Sequence, residues 1–114
     1  MAYILTEIWR ARESWGMLTP AERTHYFETK INPFLGAQLD AGAEVLACAV
    51  NDNMGPERID FSFMAVWKLP SKNFSENLEA GAKAAGFLNY FEQVNFSGNL
   101  IDPPKLNDAM VNWR

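Results

Sequence analysis

One carboxylate stands out in the N-terminal stretch AYILTEIWRA, residues 2–11. Tyr3, Leu5, Glu7 and Trp9 alternate with Ile4, Thr6 and Ile8, which is the period of a strand. Glu7 therefore points to the same side as Leu5 and Trp9. A carboxyl on an apolar face loses hydration. That loss disfavours its charged form and raises its pKa toward the range useful for acid–base work. Glu7 is accordingly the first candidate for proton transfer, and a cross-sheet salt bridge to Arg10, Arg58 or Lys68 is the simpler use of it. His25 is the one histidine, and hence the one side chain that titrates near neutrality unperturbed. At 100° per residue it lies about 110° from the centre of the Phe27–Ile31–Leu35 stripe, on a helix flank, where a general base would be poorly placed. Asn95 could orient a ligand by hydrogen bonds or simply face water at a sheet edge. Trp9, Phe27, Phe63 and Trp67 could line a pocket for a flat apolar molecule. Core packing would also use them, and buried indole N–H groups would then need acceptors.

Other chemistries are excluded by what is missing. The single cysteine, Cys48, allows no intrachain disulfide and no multi-cysteine metal site. It falls in the apolar run VLACAV, where a buried, inert thiol is expected rather than a nucleophile. One histidine cannot build a zinc or non-haem iron cluster. The seven glycines are scattered and form no phosphate loop. No cofactor is therefore expected. Net charge is −4 with both signs dispersed, so no basic patch exists to neutralise phosphates, and nucleic acid is not an expected partner. No stretch approaches the roughly 18 apolar residues of a membrane span. The N-terminus lacks a signal-peptide pattern, which makes a cytoplasmic location and no membrane partner the expectation.

The positioning elements follow from local signals. The chain of 114 residues is one domain's length, and 48% apolar content supports a packed core. After the first strand, RESWGML reads as a loop. Residues 19–42 read as a helix, with Thr19 as N-cap, Pro20 at the first helical position and Glu22 completing a capping box. Pro33 should kink or split that helix near Asn32, and Gly42 is its C-cap. Residues 43–52 read as the second strand and DNMGPER as a turn. The third strand runs from Arg58 to Leu69 and stops at Pro70. Ser71, Asn73 or Ser75 caps a second helix that runs to about Tyr90 or Phe91. Its stripe holds Phe74, Leu78, Gly81, Ala82, Ala85 and Leu88, small enough in part to let it lie close on a sheet. Residues 92–101 form a fourth strand. Residues 1–101 make up the domain, and residues 102–114 a tail packing on the domain or on a partner subunit. The order β-α-β-β-α-β is the split βαβ, ferredoxin-like α+β arrangement. Right-handed crossovers put both helices on one face of an antiparallel sheet.

The other face should then be polar, and it is not. In RIDFSFMAVWKLPSKNF (58–74), Ile59, Phe61, Phe63, Ala65, Trp67 and Leu69 form one face. Met64 and Val66 sit in the middle of the other. Ile4 and Ile8 do the same on the first strand. Soluble monomers avoid such patches. A second copy set sheet against sheet about a two-fold axis would cover it, burying about 2,000 Å² or more.

This layout, over residues 2 to about 101, resembles the dimeric α/β-barrel superfamily. That group includes antibiotic-biosynthesis-type monooxygenases, stress-responsive A/B-barrel proteins, EthD-like and muconolactone-isomerase-like proteins. GFLNYFEQVNFSG is also similar to small uncharacterised bacterial proteins that end their second helix with a like YFEQVN. The resemblance implies a homodimer with a pocket in each subunit between sheet and helices. It implies no single chemistry, because fold does not fix function. Three functions are expected on these grounds. The first is binding of a small hydrophobic or aromatic molecule. The second is a cofactor-independent monooxygenase or isomerase with Glu7 as acid–base group. The third is a protein-interaction module, which would have a closed core and no pocket.

Overall fold

The computed structural model describes residues 2–114. Four strands form one antiparallel sheet in the order β2-β3-β1-β4. They are β1 (Tyr3–Ala11), β2 (Glu44–Val50), β3 (Phe63–Leu69) and β4 (Phe91–Asn99). The helices are α1 (Glu13–Gly16), α2 (Pro20–Tyr26), α3 (Asn32–Asp40), α4 (Lys72–Ala84) and α5 (Pro103–Val111). The fold is ferredoxin-like and α+β. Its central strand β1 pairs with β3 and with β4, setting Glu7 opposite Ala65 on one side and Asn95 on the other. Directly paired residues share a face. Tyr3, Leu5, Glu7 and Trp9 thus share the helix-covered face with Ala65, Trp67 and Leu69, and all but the partly exposed Trp9 are buried.

The first long helix begins as the capping signals require. Thr19 Oγ1 accepts from the Glu22 N–H, and the Glu22 side chain accepts from the Thr19 N–H. Pro33 does not split it, and helical backbone continues from Pro20 to Asp40. A proline cannot donate its backbone N–H. Ahead of it the chain widens into a π-helical turn over Phe27–Ile31, in which the Asn32 N–H reaches the Phe27 carbonyl. Such widened turns cluster at functional sites.

Several boundaries differ from the sequence reading. Glu13–Gly16 forms a short helix where a loop is expected. The third strand starts at Phe63, not Arg58. Asn51 explains this: its Nδ2 donates to the Ile59 and Phe61 carbonyls at 3.0 and 2.8 Å, diverting the groups that would extend the ladder. Ile59 and Phe61 consequently leave the core face, and Ile59 is exposed. The second long helix ends at Ala84 rather than near Tyr90. Gly86 takes a left-handed φ of 83°, which starts a separate 3-10 turn over Phe87–Asn89. Gly81 faces another helix more than the sheet: a Cβ there would run into the Phe34 ring on α3. The last residues form α5, every residue of which is exposed.

Candidate functional site

A cavity of about 470 Å³ lies between the helix-covered face and the helices. Its floor is Glu7 and Trp9 from β1 with Phe63, Ala65 and Trp67 from β3. The widened turn and α3 supply Phe27, Ile31, Phe34 and Leu35, while α4 supplies Leu78 and Ala82. One end is an aromatic wall. Phe87 stacks on Phe91 with ring centroids 4.5 Å apart, and meets Trp9 edge-on at 5.8 Å. Trp15 on α1 packs against Phe27 at 5.7 Å and Phe91 at 5.0 Å. Phe27 and Ile31, four residues apart on the widened turn, both line the cavity. Val45 and Cys48 of the edge strand β2 also line it and are exposed, so the cavity opens on that side.

Glu7 and Cys48 are the titratable residues of this lining, and Glu7 is only 3% exposed. Trp67 Nε1–H donates to Glu7 Oε1 at 2.8 Å, and Gln93 Nε2 donates to Glu7 Oε2 at 2.8 Å. The Gln93 side-chain carbonyl accepts from Trp9 Nε1–H at 2.8 Å. Gln93 Nε2 also donates to Asn95 Oδ1 at 2.8 Å, and Asn95 Nδ2 donates to Glu79 Oε1 at 2.6 Å. The network is therefore fully paired around one carboxyl. Loss of hydration pushes that carboxyl up from 4.5 to about 7. The Trp67 and Gln93 donors pull the other way, and the nearby Glu79 charge adds to the rise. A group so poised is part acid and part base at neutral pH. Each of its oxygens keeps a lone pair for an additional donor.

No salt bridge to Glu7 forms among the described residues, and two of the three candidate cations, Arg10 and Lys68, pair elsewhere. Arg10 pairs with Glu92 at 2.6 Å and Asp60 at 3.6 Å, and Lys68 lies 3.9 Å from Glu44. Of the candidate residues, the structure brings Glu7, Trp9, Phe27, Phe63 and Trp67 together around the cavity. It leaves two outside. His25 is exposed on α2 and lines no part of the cavity, since the apolar stripe turns the other way. Asn95 lies on the edge strand β4 beyond Gln93, in a shallow second hollow with Glu79 and Lys83, so its amide faces α4 and not the cavity. Gln93 is the residue that sequence reasoning missed. The alternation Phe91, Gln93, Asn95 places it on the right face, but only the β1–β4 register reveals that it stands opposite Trp9 and beside Glu7.

Comparison with known proteins adds the family and the fold. Residues 2–113 match "Family of unknown function (DUF6616)". No curated protein matches. Among solved structures, the chain is similar to a chlorite dismutase-like protein, with a TM-score of 0.69 and 14% identity over 90% of this chain. It spans 44% of that protein's length. A protein of unknown function from Rhodopseudomonas palustris gives a TM-score of 0.58 at 13% identity, covering 90% of this chain and 84% of the other. A protein from Thermobifida fusca, described as dimeric, ferredoxin-like and of unknown function, gives 0.50 at 13% identity over 88% and 92% of the two chains. At these identities the likeness concerns the fold alone. Among the described residues no helix is long and apolar enough to cross a membrane, and no three His, Cys, Asp or Glu side chains gather as a metal site.

Proposed function

The chain belongs to this family of unknown function, and we propose that it is a homodimeric protein binding a small hydrophobic or aromatic molecule in the cavity over Glu7. The single observation that carries the reading is the cavity itself: about 470 Å³, walled by aromatic and aliphatic side chains, with one buried carboxyl on its floor. That volume is within the usual range for small-molecule sites, which are likewise apolar with a few placed polar groups. An apolar wall selects apolar surface, and the spare lone pairs of Glu7 select a ligand with one hydroxyl or N–H. An interaction module with a closed core would not need such a space.

The raised Glu7 pKa of about 7 supports a second reading, acid–base catalysis. In it Glu7 takes a proton from an acidic C–H or O–H of the bound molecule and returns it elsewhere, as an isomerase would. Deprotonation that prepares a cofactor-independent oxygenation is the related possibility. Glu7→Gln should then abolish turnover with binding retained.

The binding reading is tested by fluorescence titration with 2-naphthol and with 2-methoxynaphthalene. Both fit an apolar slot, but only the first donates a hydrogen bond. At pH 8, where Glu7 is mostly ionised, 2-naphthol should bind about tenfold tighter, the worth of about 1.4 kcal/mol. Ala82→Phe, which fills the cavity from α4, should abolish both. Equal binding of both probes to Ala82→Phe and to the unaltered protein would overturn the reading.

A further inference from the structure

We propose that α5 is an exchange arm, which packs on the second copy of this chain beside the uncovered sheet face. The inference rests on the homodimer of the preceding section and adds the element that completes it.

Three observations carry it. First, α5 is amphipathic and unpartnered. Leu106 and Met110 stand at i and i+4, the spacing of one helix face, and Trp113 follows just beyond the helix end. They are 48%, 68% and 86% exposed, and no residue from Ile101 to Arg114 is buried. Second, the sheet face beside it is apolar. Ile4 and Ile8 of β1, with Met64 and Val66 of β3, are only partly covered. On β4 the same face shows Val94 at 46% and Phe96 at 76% exposed. Phe96 precedes the Asp102 N-cap of α5 by six residues, so a short connection links the apolar face to the helix.

Third, the surface is in excess by the amount an interface needs. A compact chain of 12.9 kDa should expose about 6,300 Å². This one exposes 7972 Å², roughly 1,700 Å² more than that scaling allows. A standard interface covers about 800 Å² per partner, and permanent dimers cover 1,000 Å² or more. The radius of gyration agrees: 16.0 Å against about 13 Å for a compact domain of this length. The chain has the dimensions of half an assembly.

A second copy is the occupant these features favour. A membrane surface would require Lys and Arg along the polar side of the helix. Here α5 carries Lys105 against Asp108, and the chain is net −4. A two-fold pair, in contrast, presents each arm with the same apolar sheet face that its own chain leaves open.

The test is sedimentation equilibrium of the full chain and of Leu106→Glu/Met110→Glu, with circular dichroism as the folding check. Both positions are exposed, so the substitutions leave the folded protomer intact. A parallel measurement cross-links Lys105 in dimers mixed from light and 15N-labelled chains. The proposal expects a dimer at micromolar concentration, at least tenfold weaker association in the double variant, and light–heavy cross-links from Lys105. An unchanged dimer with Lys105 cross-linked only within its own chain would overturn the exchange arm and leave the homodimer standing. A monomeric unaltered protein at tens of micromolar would overturn both.

Discussion

Replacing Glu7 by Gln isolates what its burial does to stability. The folded carboxyl has a pKa of about 7 against 4.5 when hydrated. The folded state therefore holds its proton more tightly than the unfolded state. Linkage fixes the sign: where the native state binds more protons, stability falls as pH rises. Below pH 4.5 the group is protonated in both states and its contribution is flat. Between pH 4.5 and pH 7 stability declines, and above pH 7 it levels off at its minimum. With 1.36 kcal/mol per pKa unit, the loss from this group between pH 5 and pH 8 comes to about 2.5 kcal/mol. Glu7→Gln removes the titration and leaves the shape. It also has a constant cost. Its amide can still accept from Trp67, but its NH₂ must face the Gln93 NH₂, which is held in that orientation by Trp9 Nε1–H. One lost bond of this kind costs about 1–2 kcal/mol at every pH. The offset is thus uninformative and the slope is the readout. Urea unfolding of both proteins at half-unit steps from pH 5 to pH 8 gives it, because titration of every other group cancels in the difference. Unaltered protein should lose about 2.5 kcal/mol relative to the variant across that range. Two parallel curves would refute the reasoning.

Gln93→Leu should remove the donor to Glu7 Oε2 and the acceptor of Trp9 together, destabilising by about 2–4 kcal/mol. The same change takes away a donor that favours the ionised form, so an NMR titration should find Glu7 higher than before. Gly81→Ala should cost about 1–3 kcal/mol despite the better helix propensity of alanine, since the new Cβ lies 2.9 Å from Phe34 Cζ and overpacks the α3–α4 contact. Thermal unfolding checks it, and weaker 2-naphthol binding should accompany it as the ring moves into the cavity. Ser75→Ala should raise stability by up to about 1 kcal/mol, because the buried hydroxyl has no hydrogen-bond partner among the described residues.

Much of this architecture is legible in the sequence where local physics decides. Thr19, Pro20 and Glu22 announce a helix start, and Pro33 announces an irregularity, met as a widened turn rather than a break, because capping and proline sterics act within one turn. Alternation on β1 puts Glu7 among apolar neighbours, which is enough to foresee a raised pKa. What escapes is set by contacts distant in the chain. Asn51 shortens β3 by capturing two carbonyls eight and ten residues away. The left-handed turn at Gly86 releases Phe87 and Phe91 from a helix and turns both toward the cavity. Gln93 becomes Glu7's neighbour only through strand register, 86 residues away in sequence. Asn95, the more visible amide, belongs instead to the outer hollow with Glu79.

The most direct test of this account follows the Glu7 side-chain carboxyl carbon by 13C NMR across pH, free and saturated with 2-naphthol. The account predicts a free midpoint near 7 that moves when the probe occupies the cavity. A midpoint near 4.5, unchanged by the probe, would show Glu7 hydrated and remote from any ligand, and would contradict it.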